Sequence, residues 1–101
     1  MVNMLQLNTP FTLPCGAVLK NRFAKSAMSE NIALSNYAPS PTIINAYKRW
    51  ALGGAGLLIT GNVMVDSRAL GEARNVVVED KRHFAQLKAW AAVVAETGTH
   101  I

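Results

Sequence analysis

Hydrophobic and polar positions change rhythm several times along the chain, and each change predicts an element. Phe11 to Lys20 (FTLPCGAVLK) holds two short apolar stretches broken by Pro14 and Gly16, the pattern of a small hairpin. From Arg22 to Met28 (RFAKSAM) apolar and polar residues alternate around Phe23, Lys25 and Ala27, which predicts a strand. Ser29 to Ser40 reads as a loop, with Asn31, Ser35, Asn36 and Pro39. A helix start follows: the Ser40 side chain can accept from free backbone N–H groups, and Pro41 suits the first helical position because it has no N–H to leave unsatisfied. Ile44, Tyr47 and Ala51 recur at helical spacing, and Gly53-Gly54 closes the segment as a left-handed cap. Gly56 to Thr60 (GLLIT) is almost wholly apolar, as a parallel strand is when both faces are covered. Asn62 to Asn75 reads mostly as loop. Asp80 is placed to cap a second helix, Lys81 to Thr97, with Phe84, Leu87, Ala91 and Val94 on one face; Gly98 ends it. Thr99-His100-Ile101 begins a third strand.

The order is strand, helix, strand, helix, start of strand. Helices between strands of this length favour parallel strands joined by right-handed crossovers, so the fold class is α/β. Neither an internal repeat nor an interdomain linker is visible, and residues 1–101 are read as part of one domain. The chain stops where the third strand begins, so it is expected to be the opening of an α/β fold.

Composition narrows the classes. The 101 residues are 50% hydrophobic and 16% charged, too apolar for a disordered chain. The single cysteine, Cys15, has no internal partner, which favours a reducing compartment. No apolar run approaches the roughly 18 residues of a membrane span, and the N-terminus lacks the basic start and long apolar core of a signal peptide. A soluble, cytoplasmic protein without membrane contact is expected. The formal charge of +4 raises the question of nucleic acid. The ten Lys and Arg are spread along the whole chain without interleaved aromatics, so no nucleic-acid partner is expected.

Few residues invite chemistry on their own. Gly53-Gly54-Ala55-Gly56 follows a helix and precedes a strand, the reverse of a dinucleotide-binding turn, so it reads as a cap and tight turn. His83 and His100 have no cysteine or carboxylate arranged around them as a metal ligand set. His83 reads as a solvated residue of the first helical turn, whereas His100, alternating with Thr99 and Ile101, is placed to face a barrel centre. Cys15 reads as a packed small residue, and Trp50 and Trp90 as core. Glu30, Asp66, Glu72, Glu79, Asp80 and Glu96 show no spacing that certifies an acid–base pair. In parallel α/β folds ligands gather at the C-terminal strand ends. Here these are Ala27-Met28-Ser29 and Gly61-Asn62, small residues that let a flat ligand approach the backbone.

Lys20-Asn21-Arg22 leading into Ser26-Ala27-Met28-Ser29 resembles the opening of the Old Yellow Enzyme family, the NADH:flavin oxidoreductases. That family has a short hairpin, an "lkNR" step and a first strand ending in an "(S/A)-P-M-(C/T)" turn. The resemblance continues through Tyr47, Ala51, Gly53 to Leu57, Asp80 and Gly98, and covers Thr9 to Ile101. It implies the first two βα units of a TIM (β/α)8 barrel with an N-terminal hairpin, truncated at the start of the third strand. It also implies FMN as cofactor, NADH or NADPH as reductant, and an activated alkene as small-molecule substrate. The flavin-facing turn maps onto Ser26, Ala27, Met28 and Ser29. Ser29 stands where the family has Cys or Thr, and its hydroxyl can donate near the flavin O4, favouring the reduced ring. Asn62 stands where the family often has Gly or Ala and the backbone meets the flavin.

Three positions depart from the family pattern. Ala27 replaces a proline, Asn31 falls where some members place a substrate-facing tyrosine, and Trp50 where arginine is common. The family's later flavin-binding glutamine, substrate-gripping His/His or His/Asn pair, proton-donating tyrosine, and late-barrel arginine and phosphate cradle have no counterpart in this sequence. No catalytic residue is therefore assigned, and the chain alone is expected to be inactive. The alternative is a non-catalytic product, stable only as a homo-oligomer or bound to another chain, because its strands leave unpaired edges. A small basic binding module is a third reading, supported only by the charge.

Overall fold

A computed structural model describes residues 4–101. A short 3-10 helix, Met4–Asn8, leads into a hairpin in which β1 (Phe11–Thr12) pairs antiparallel with β2 (Val18–Leu19). The chain reverses through Gly16 at φ +93°, a left-handed conformation that suits glycine. Cys15 lies at this turn and is exposed, not packed: a two-stranded tip has no second layer over it.

β3 (Ala24–Lys25) follows, then α1 (Pro41–Leu52) and β4 (Leu57–Leu58), which pairs parallel with β3 in the register Ala24 to Leu57 and Lys25 to Leu58. His100 joins the other edge of β4 through a parallel bridge to Leu57, so the third strand starts where the sequence puts it. The ladder of the first strand is shorter than Arg22 to Met28. Beyond Lys25, whose carbonyl still accepts from the Ile59 N–H at 3.1 Å, the chain peels away.

α1 begins as its sequence dictates, with Ser40 Oγ accepting the Ile43 N–H at 3.1 Å and Pro41 in the first turn. Its buried stripe is Ile43, Tyr47 and Ala51, at four-residue spacing; Ile44 lies beside that stripe and packs against its edge. Of the two closing glycines, Gly53 is right-handed and only Gly54, at φ +104°, turns left-handed.

The stretch from Asn62 to Asn75 is less of a loop than its composition implies. β5 (Val63–Met64) pairs parallel with β6 (Val76–Val77), a non-local pairing of runs too short to show periodicity. α2 (Phe84–Ala95) starts three residues later than expected. Asp80 accepts from the Arg82 N–H at 2.9 Å and grips the Arg82 guanidinium, so it caps a turn before the helix and not the helix itself. The face turned to the core carries Leu87, Trp90 and Val94, continued by His83 just before the helix, while Phe84 and Ala91 are toward solvent. His83 is accordingly buried, its Nε2 2.9 Å from the Asn36 carbonyl, and not the solvated residue its position in the sequence suggested.

The core lies between the two helices and the helix-facing side of the sheet. Tyr47 is at its centre, edge-on to Trp50 at 5.0 Å and to Trp90 at 5.2 Å, with Leu58, Ala33 and Val76 around it. Trp90 is buried, whereas Trp50 is half-buried at the rim. Among the described residues Trp90 Nε1 finds no acceptor, so aromatic packing has to outweigh that desolvation. No helix among the described residues is long and apolar enough to cross a membrane.

Candidate functional site

The C-terminal ends of β3 and β4 meet in a close backbone contact. Gly61, just beyond β4, lies so close to the segment after β3 that a Cβ built on it would fall 2.7 Å from Ser29 Cα and 2.6 Å from Glu30 Oε2, and would collide with the Met28 carbonyl oxygen. Only a residue without a side chain fits there. Met28 and Ser29 are thereby set against Gly61, with Ser26 and Ala27 preceding them and the exposed Asn62 following Gly61 in the chain. The sequence marks Gly61 as a small residue at the second strand end, but not its contact with the segment after β3. Its one signal was a glycine directly after an apolar strand, a mark of close backbone approach.

Two side chains lock this contact. The buried Tyr47 hydroxyl donates to Glu30 Oε1 and accepts the Gly61 N–H at 3.4 Å. Burial, followed by the neighbouring Glu30 carboxylate, pushes the phenol well above its ordinary pKa, so it remains a donor. Lys25 Nζ donates to the carbonyls of Ser26 at 2.8 Å and Ile59 at 3.1 Å, tying the two strand ends from the helix side. Its ammonium lies 4.9 Å from the Trp50 ring centroid, a cation–π contact. Neither Tyr47 nor Lys25 drew attention as chemistry in the sequence, because the partners that join the two strand ends, Glu30 and Gly61 for Tyr47 and Ile59 for Lys25, lie 14 to 34 positions away.

The segment after β3 is also stitched to the chain before β6. Asn31, left-handed at φ 56°, accepts the Arg74 N–H on Oδ1 at 2.7 Å, and Arg74 Nε donates to the Ala33 carbonyl at 2.7 Å. The buried Asn75 accepts the Glu72 N–H on Oδ1 at 2.6 Å and donates from Nδ2 to Ser29 Oγ at 3.2 Å.

The outer surface of this edge offers mixed chemistry. Met28 is 61% exposed, and Ser26, Ala27 and Asn62 are exposed. The amides of Ala27, Met28 and Ser29 have no hydrogen-bond acceptor among the described residues. Free N–H donors, a hydroxyl and a polarisable apolar side chain fit a flat heteroaromatic with hydrogen-bonding edges. An open cleft of about 340 Å³ lies behind the turn, lined in part by Lys25, Met28, Trp50 and Leu58. No three His, Cys, Asp or Glu side chains come together as a metal site among the described residues.

Two other motifs are structural. Asn21 Nδ2 donates to the Gly54 carbonyl at 2.6 Å, and Gly56 lies within 2.8 Å, at its missing Cβ, of the Asn21 carbonyl; the glycine run is a turn pinned by Asn21. His100 Nε2 sits 3.0 Å from the Val18 carbonyl, fastening the hairpin to the sheet.

No family model matches the chain. It is 43% identical over 99 residues to the NADH-dependent flavin oxidoreductase iliE of Hypocrea jecorina, covering 94% of this chain and 25% of that protein. With the NADH-dependent flavin oxidoreductase iccE of Talaromyces variabilis it shares 40% identity over 99 residues, 94% of this chain and 24% of that one. The solved Old Yellow Enzyme from Trypanosoma cruzi matches its fold with a TM-score of 0.82 at 20% identity, over 93% of this chain and 25% of that chain. The chain spans about a quarter of the length of each.

Proposed function

Since the chain belongs to the NADH:flavin oxidoreductases of the Old Yellow Enzyme family, as an N-terminal part, we propose that it forms one wall of an FMN site. In this reading β3–α1 and β4–α2 are the first two βα units of a TIM (β/α)8 barrel. The whole protein would pass hydride from NADH or NADPH to an activated alkene or related acceptor, with the chain alone inactive. Bound FMN would supply the reversible uptake and release of hydride. The residues of this chain would bind and orient it: the free amides of Ala27, Met28 and Ser29 toward its polar edge, the Met28 side chain against its face, the Ser29 hydroxyl as donor. Ser26 and Asn62 would border the ring.

The observation that carries this reading is the Gly61 contact, which brings the two strand ends together while the amides of Ala27, Met28 and Ser29 keep no acceptor among the described residues. The test is a titration with FMN, followed by flavin fluorescence, of a barrel made by fusing residues 1–101 to the remaining three-quarters of the Hypocrea jecorina relative. We expect saturable quenching, weakened about tenfold or more by Met28→Asp, which is at least about 1.4 kcal/mol of binding free energy. A folded fused barrel that does not bind FMN would sink the proposal. The second reading, a non-catalytic chain stabilised by self-association or by another chain, draws on the free outer edge of β3 among the described residues.

A further inference from the structure

We propose that Asn75 is a positioning residue that fixes the direction of the Ser29 hydroxyl and so sets the reduction potential of the flavin. The inference rests on the flavin reading above and extends it to a residue far from the first strand in sequence. Asn75 is 2% exposed, and both ends of its amide are committed. The Glu72 backbone N–H can only donate, so the Asn75 atom it meets at 2.6 Å is the carbonyl oxygen, Oδ1. The other end is therefore the NH2 group, and it reaches Ser29 Oγ at 3.2 Å as a donor. Ser29 Oγ must accept that bond, which keeps its own proton off Asn75. The hydroxyl hydrogen has no acceptor among the described residues and is left free for an acceptor on a ligand at the turn.

A serine without this partner would divide its proton among several acceptors. With it, the hydroxyl is held as a donor toward whatever seats on the turn. Donation to a ring that gains electron density on reduction stabilises the reduced form, so Asn75 raises the flavin potential through Ser29. Asp at position 75 reverses the geometry. It keeps the shape and still accepts the Glu72 N–H, but its second oxygen is an acceptor, and Ser29 would then turn its proton inward.

Two measurements test this. In the 101-residue chain without flavin, NMR should find a slowly exchanging Asn75 side-chain amide proton whose protection is lost in Ser29→Ala. In the flavin-loaded fused barrel, Asn75→Asp should lower the reduced-to-oxidised ratio at fixed ambient potential about tenfold, about 30 mV for a two-electron couple. Most of that shift should vanish in the Ser29→Ala background and persist in Ser29→Thr, which keeps the hydroxyl. A shift undiminished in Ser29→Ala would mean that the Asp charge acts directly, and would overturn the proposal, as would an unprotected Asn75 amide. A protected amide in a folded barrel that binds no flavin would overturn the redox role and the flavin reading together, leaving only the direction of the hydrogen bond standing.

Discussion

At the scale of single residues, the junction of the two strand ends depends on an atom that is missing. Gly61→Ala would drive a methyl group into the backbone at Met28 and Ser29, which cannot swing aside as a long side chain would. We expect a loss of about 1–3 kcal/mol in urea unfolding, the usual penalty for overpacking. Tyr47→Phe removes the hydroxyl that bridges Glu30 and Gly61 and should cost about 1.5–3 kcal/mol near neutral pH, as for a buried bond to a charged partner. The pH dependence has a definite sign. The folded-state pKa of Tyr47 is raised above the ordinary 10.0, so its contribution is complete below pH 10.0 and is lost as pH rises toward the folded value. Wild type should therefore approach Tyr47→Phe in stability above pH 10.0, measured by chemical denaturation at stepped pH. The candidates on the first-strand turn were chosen because ligands in parallel α/β folds gather at the C-terminal strand ends. The contact at Gly61 and the roles of Tyr47 and Asn75 were not legible, since each is defined by what a distant segment places against it.

Individual elements were legible where their signals are local. Ser40-Pro41 announces α1 because cap and first turn are adjacent in sequence, and the structure uses both. Asp80 gives the same kind of signal ahead of α2, yet its carboxylate is captured by Arg82 two residues on, and the helix starts at Phe84 without a side-chain cap. The two helices should respond differently to the same truncation. Ser40→Ala is expected to cost about 1 kcal/mol, while Asp80→Ala should cost less than Ser40→Ala and leave helical circular dichroism unchanged. Equal losses would mean that Asp80 does cap α2 in solution. His83, the residue before α2, is buried with its imidazole against the Asn36 carbonyl, a partner 47 positions away that no local pattern announces. β5 and β6 lay beyond local reading for the opposite reason, as two-residue strands that exist only through each other.

The whole molecule is extended, at 53 × 24 × 24 Å with a Cα radius of gyration of 15.2 Å. A compact chain of this length would have a radius of about 13 Å. Its core occupies one side of the sheet, where Leu58 is covered by the helices. On the opposite side the hairpin is fastened at His100, but Ile59 remains 45% exposed, and Val65, just beyond β5, is 82% exposed. Exposed apolar surface next to a free strand edge favours association. The formal charge of +4 opposes it, with basic residues spread over the whole chain. These two forces respond oppositely to salt, which separates them. If apolar contact drives assembly, raising ionic strength screens the repulsion and drives the 101-residue polypeptide toward higher mass in sedimentation velocity. Ile59→Lys, which adds a charge on an exposed face without entering the core, should then shift it back toward monomer. Assembly that instead dissolves with added salt would point to ion pairing between copies, for which Asp66–Arg68 and Asp80–Arg82 are poor candidates because each carboxylate already holds its arginine within the chain.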